Sequence, residues 1–145
     1  MAFQKKIEQK DAGISATYWR VVAVHIDAVS FLARIVMHGY ASADIRQAQG
    51  RAIDQREYSL SPQQFAQLAT SAATGPTTFD AIATACYGYI SSTARSIPEG
   101  AIYDPETGKL FVPSTGEVVA KADITFNEDG QPVQIPSEFK NATVI

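Results

Sequence analysis

Residues 16–40 read ATYWRVVAVHIDAVSFLARIVMHGY, the longest apolar-rich run in the chain, and their periodicity breaks once, at 27–30. Before the break Tyr18, Arg20, Val22, Val24 and Ile26 alternate with Trp19, Val21, Ala23 and His25. After it Phe31, Ala33, Ile35 and Met37 alternate with Leu32, Arg34, Val36 and His38. A period of two, rich in β-branched and aromatic side chains, predicts two long strands folded on each other. Both faces are substantially apolar, whereas a sheet wetted on one side alternates more cleanly. Both faces are therefore expected to be covered, by a second layer or by another subunit. The connection Asp27-Ala28-Val29-Ser30 lacks Asn-Gly or Asp-Gly chemistry and predicts a loop of about four or five residues. Closing the hairpin at Ala28 and Val29 sets His25 against Leu32 and His38 against Trp19.

Upstream, residues 3–9 alternate loosely and predict either a short strand or an arm that pairs with a neighbouring chain; Asp11, Ala12 and Gly13 break them. Downstream, residues 41–50 are polar and end in glycine, as a loop or a single helical turn does. Residues 51–60 predict a more polar third strand at a sheet edge, where alternating charges discourage uncontrolled pairing. Ser61-Pro62-Gln63-Gln64 is a capping box, with Pro62 at the first helical position. Phe65, Leu68, Ala69 and Ala72 then share one helical face, and Thr74-Gly75-Pro76 ends the helix. With Thr77 or Thr78 as cap, Phe79, Ile82, Ala83, Cys86, Tyr87 and Ile90 repeat the same spacing.

From Ile97 the composition shifts to turns: Pro98-Glu99-Gly100, residues 104–108, residues 113–116 and residues 127–130. The pieces between them, 101–103, 110–112, 117–126 and 131–135, are short, polar strands with too little apolar surface for a second independent core. The expected fold is thus α+β. Residues 1–96 form an antiparallel sheet built on a long hairpin and covered by two short helices. Residues 97–145 form a C-terminal β-hairpin appendage.

Composition narrows the function. Of 145 residues 46% are hydrophobic and 19% charged, the balance of a globular chain. The net charge is −3 with Lys and Arg scattered, which argues against a nucleic-acid or anionic-membrane partner. The single cysteine, Cys86, cannot form an internal disulfide. No apolar run reaches the ~18 residues of a spanning helix, and MAFQKKIEQKDAG lacks the apolar core of a signal peptide.

Chemical motifs are sparse. On a half-buried strand His25 and His38 read as structural, Cys86 on an apolar helix face reads as a small buried hydrophobe, and Ser61 reads as a cap. Asp104, Glu106, Glu128 and Asp129 lie in ordinary turn sequences without EF-hand spacing. Neither GxGxxG nor GxxxxGK[ST] occurs. Tyr18, Trp19, Phe31 and Tyr40 form an aromatic set without basic interleaving, which suits core or interface better than base stacking. No catalytic, cofactor-binding or metal-ligating residue is expected. The candidates for assembly contacts are Phe3 and Ile7 in the N-terminal segment, Trp19 and Tyr40 on the hairpin, and Tyr103, Leu110 and Phe111 in the appendage.

The segment Gly13-Ile14-Ser15-Ala16-Thr17-Tyr18-Trp19-Arg20 resembles a G-I-x-A-T-Y-W-[RK] strand motif of small virion proteins of tailed bacteriophages and prophages. In that group the strand turns near an aspartate, here Asp27, and a second strand ends in G-Y-x-[SA], here Gly39-Tyr40-Ala41-Ser42. Residues 43–60, with Asp54-Gln55-Arg56-Glu57-Tyr58, are similar to its middle segment, and residues 79–90 to its C-terminal helix. The resemblance covers about the first 95 residues of the chain and marks a structural element rather than chemistry. It implies a non-enzymatic tail, baseplate or fibre-attachment protein, assembled in the host cytoplasm and carried in the virion, whose partners are copies of itself and other virion proteins. A head decoration or neck protein is the alternative. A carbohydrate-binding module or small hydrolase at the host surface is the rival from another class, and it requires exposed aromatics or paired carboxylates in a cleft.

Overall fold

The expected hairpin is the centre of a five-stranded antiparallel sheet. The computed structural model describes residues 1–9, 13–27, 29, 30, 32–73 and 79–145, with the side chains of all of these except 9, 69–73, 79 and 80. Strand β1 (Phe3–Gln9), β2 (Ile14–Asp27), β3 (Leu32–Tyr40), β4 (Asp54–Leu60) and β11 (Thr143–Val144) stand in the order β11-β1-β2-β3-β4. The polar β4 lies at one edge, and its inward residues Tyr58 and Leu60 alternate with the outward Gln55, Glu57 and Ser59. The N-terminal segment is a strand of the subunit's own sheet and not an arm for a neighbour. Its first residues are closed by the C-terminus, where Ala2 and Ile145 exchange backbone hydrogen bonds of 2.7 and 2.9 Å.

The hairpin register differs from the expected one. Asp27 pairs with Leu32, so the connection takes four residues, 28–31, and is centred later than Ala28 and Val29. The Asp27 carboxylate sets that position by accepting from the backbone N–H groups of Val29 (2.9 Å) and Ser30 (3.3 Å) and from the Ser30 hydroxyl. These bonds also hold its pKa below the ordinary aspartate value, the Ser30 hydroxyl contributing most. A bulge at Val22 adds a residue to β2 between Val21 and Ala23. The later turn sets His25 against Arg34, and beyond the bulge His38 faces Arg20. The bulge also switches parity: Trp19 and Val21 point to the core before it, Val24 after it.

Two of the chain's own helices cover one face of the sheet, while on the other Val36 and Tyr40 are buried among their neighbours and Val22 and Arg20 are exposed. Helix α2 (Pro62–Ala73) opens with the capping box: Gln64 N–H donates to Ser61 Oγ at 3.3 Å, and Ser61 N–H to Gln64 Oε1 at 2.8 Å. Helix α3 (Phe79–Ser92) turns Ala83, Cys86, Tyr87 and Ile90 onto the sheet, with Leu68 and Phe65 of α2 beside them. Ile82, expected on that face, is exposed instead. The terminator at 74–76, the caps at Thr77 and Thr78, the break at 11–12 and Phe31 lie outside the described residues. Between β3 and β4 the polar segment holds one short helix, α1 (Ala43–Gln47), capped by Ser42 Oγ, which accepts from Ile45 N–H at 3.2 Å.

The C-terminal third is more than a hairpin. Strands β6 (Ile102–Asp104), β7 (Lys109–Val112) and β8 (Glu117–Val119) form a meander. Strands β5 (Arg95–Ser96), β10 (Pro132–Ile135) and β9 (Thr125–Phe126) form another three-stranded sheet. The expected strand 117–126 is interrupted by a 3-10 turn, Lys121–Asp123. All four turn clusters form; at 104–108, Gly108 takes φ +69° and donates its N–H to Asp104 C=O at 2.8 Å. Contrary to the reading of these strands as too polar, Leu110, Val112, Val119, Ile124 and Ile135 make a second core of their own. The unit starting at 97 also ends early. Residues 136–145 return to the first core, where Phe139 is fully buried against Phe3 (ring centroids 5.1 Å) and Trp19 (5.2 Å).

Candidate assembly surfaces

Five of the seven residues proposed for contacts between subunits lie inside the subunit. Phe3, Ile7, Trp19, Tyr40 and Leu110 are all buried. Trp19 sits against Gly39 on β3, and a Cβ there would lie 2.8 Å from the indole Cζ3. Its Nε1–H donates to Lys5 C=O at 3.0 Å, and the Arg56 guanidinium lies 5.3 Å from its ring centroid. Tyr103 is half-buried against Phe126, and Phe111 alone of the seven is exposed. The adjacent pair Leu110 and Phe111 divides because a strand sends successive side chains to opposite faces.

A polar junction ties the returning segment to the sheet. Arg56 donates to Asp54 at 2.6 Å and to Glu138 at 2.8 Å, both partners being largely shielded from water. Burial opposes the Arg56 charge, but Glu138 and Asp54 outweigh it and its pKa is raised. Lys5 Nζ donates to the backbone carbonyls of Glu138 and Lys140. Its pKa is lowered, chiefly by burial. Arg95 bridges Pro136 C=O (3.0 Å) and the Glu117 carboxylate. A cavity of about 280 Å³ beside this junction is lined by Lys5, Lys6 and Ile7 of β1 and by Thr115, Glu117 and Glu138. Its three carboxylates, Glu8 included, are each ion-paired, with Lys6, Arg95 and Arg56 holding Glu8, Glu117 and Glu138, which suits a structural joint.

No buried nucleophile is activated. Cys86 is fully buried and its thiol is pushed up to about 11 by desolvation, so almost no thiolate exists near neutral pH. The Tyr87 hydroxyl is committed to structure: it accepts from Val21 N–H and donates to Met1 C=O, each at 2.9 Å. Among the described residues no group of three His, Cys, Asp or Glu side chains is placed to hold a metal ion. Nor is any described helix long and apolar enough to cross a membrane.

The groups that do face outward fall into two sets. On the open face of the large sheet Tyr18 pairs with Tyr40 and Arg20 with His38 across β2 and β3. Tyr40 at this corner is itself covered by its neighbours, its ring centroid 6.4 Å from those of both Tyr18 and His38 and 5.8 Å from the Arg46 guanidinium. Farther along the face, Arg34 is joined to Glu57 at 3.3 Å, and Glu57 also accepts from Gln55 at 2.7 Å. The bulge residue Val22 and the tip residues Ile26, Val29 and Leu32 are exposed. The second set is on the meander, where Ile102, Phe111 and Val118 stand in one cross-strand row, 61%, 40% and 58% exposed.

Sequence reasoning found Phe111 of this row and missed its partners. The signal was present in the period-two pattern of IYD, KLFV and EVV once the strands are aligned. Phe139 was missed as a core residue because it is an isolated aromatic in a polar stretch. No protein family, curated protein or solved structure matches the chain.

Proposed function

We propose that this chain is a non-enzymatic structural subunit of a tailed-phage virion, of the tail, baseplate or fibre-attachment region. It works by binding copies of itself and other virion proteins. The observation that carries the assembly half of this reading is the apolar row on the meander, where Ile102, Phe111 and Val118 stand side by side across three strands, 61%, 40% and 58% exposed. The virion half rests on the likeness of residues 13–20, 39–42 and 54–58 to the phage group.

The test is the mass of the purified protein by light scattering over a range of concentrations, followed by its copy number in purified particles. A defined trimer or hexamer present at a few to a few dozen copies supports the reading. Hundreds of copies would move it to head decoration. A monomer at every concentration, absent from particles, would refute it. The carbohydrate-binding alternative loses its largest aromatic, since Trp19 is fully buried.

A further inference from the structure

Charge divides unevenly along the chain. Residues 1–96 carry nine Lys and Arg against seven Asp and Glu, a net of +2, while residues 97–145 carry three against eight, a net of −5. The imbalance is visible at the two outward surfaces. On the open sheet face Glu57 is taken up by Arg34 and Gln55, whereas exposed Arg20, beside His38, makes no ion pair among the described residues. Arg46, over Tyr40, has its Nε buried without an acceptor. On the meander, the β6–β7 turn beside the apolar row carries Asp104 and Glu106. The Asp104 carboxylate is occupied by Glu106 N–H at 2.9 Å and the Thr107 hydroxyl at 2.8 Å. The Glu106 carboxylate at the exposed turn has no ion-pair partner among the described residues.

We infer that the open face of the five-stranded sheet receives the β6–β7 meander of a second copy of this chain, with Glu106 of one copy set against Arg20 of the other. The inference rests on the self-assembly reading above and specifies its surfaces. Each surface has apolar side chains and a charged corner of opposite sign: exposed Val22 and half-buried Ala23 beside Arg20 on the sheet, Ile102, Phe111 and Val118 on the meander whose turn carries Glu106. The two patches differ, so the contact is head-to-tail, and each subunit buries surface at two places. Such contacts close into a ring or continue as a helix according to the rotation between neighbours.

A charge exchange tests this directly. Arg20→Glu, Glu106→Arg and the double variant are compared with the wild type by sedimentation velocity at low and at ~0.5 M salt. Each single variant is expected to weaken assembly by at least ~10-fold, and the double variant to return to within about threefold of the wild type. The wild type should weaken with salt, the singles much less. Both positions are exposed, and unchanged far-UV spectra and melting show that folding is retained. Should Arg20→Glu fail to fold, Phe111→Asp supplies the second arm and should abolish assembly in a folded chain. Singles that assemble like the wild type, or a double variant no better than either, would overturn the contact while leaving self-assembly standing. A wild type that is monomeric at all concentrations, alone or bound only to other particle proteins, would overturn it as well.

Discussion

Replacing Trp19 by alanine separates a core role from an interface role. The indole is wholly enclosed by Phe139, Gly39, Lys5 and Arg56. Truncation removes a side chain of about 150–250 Å², and comparable Trp→Ala changes in cores cost about 3–5 kcal/mol. The Lys5 carbonyl, which now accepts from Nε1, loses its donor, a further ~1 kcal/mol if water does not replace it. A total near 4–6 kcal/mol is a large part of the ~5–15 kcal/mol that holds a domain together. With a urea slope of about 2 kcal/mol/M, the midpoint should fall by roughly 2–3 M at unchanged slope. The assay is equilibrium urea unfolding followed by far-UV circular dichroism, at concentrations low enough to keep the subunit apart from its copies. A loss below ~1 kcal/mol with assembly abolished would place the indole at an interface and refute the burial described above.

Three other measurements probe the same framework. Gly39→Ala should cost about 1–3 kcal/mol in urea unfolding, because its Cβ would meet Trp19 and Ala16 at 2.8 and 2.9 Å. In a Trp19→Ala background the penalty should fall to less than half, and an undiminished penalty would point to backbone strain instead. Tyr87→Phe leaves Val21 N–H and Met1 C=O without their shared hydroxyl, for a loss of about 1–3 kcal/mol and faster exchange of the Val21 amide. Cys86 should react with a thiol reagent at the rate of unfolding and not at the rate of a free thiol. Burial raises its folded pKa to about 11, above the ordinary thiol value of 9.0, so its contribution to stability is complete below pH 9 and is lost as pH rises toward 11. Cys86→Ala should flatten that part of the pH–stability curve.

What was legible in the sequence was local. The capping box at Ser61 and Gln64 and the turn glycines are specified by residues within four positions of one another, so neighbouring identities suffice. The edge placement of β4 followed from its charges, and the α+β arrangement from the two periodicities. The register of the hairpin was hidden at two points: the connection is centred later than Ala28 and Val29, and Val22 bulges, where nothing in VVAV distinguishes a bulged valine from a paired one. The aromatic candidates were correctly seen as large apolar anchors. Whether such an anchor serves the core or a neighbour depends on what reaches it from afar. For Phe3, Ile7 and Trp19 the shared core includes Phe139, far along the chain and beyond two small sheets. Short polar strands concealed a second core because each contributes only one or two apolar residues, and the cluster exists only when all are brought together.

That distant closure bears on the proposed contact between copies of the chain. Lys5, Arg56 and Arg95 fasten residues 136–140 from three directions, and Phe139 completes the cluster around Phe3 and Trp19. The first core is therefore unfinished until residues 136–145 have been made, and the meander lies between the two halves of that core in sequence. Contacts of such long separation close slowly but cooperatively, so the chain should unfold in one transition rather than shedding its C-terminal third. A cooperative joint also fixes where the exposed row of the meander stands relative to the open sheet face. Two patches held in a constant relation are what repeated, geometrically identical contacts between copies require, since any slack at the joint would be multiplied at every added subunit. Two separate melting transitions would break this connection between closure and assembly, because the patches could then move independently.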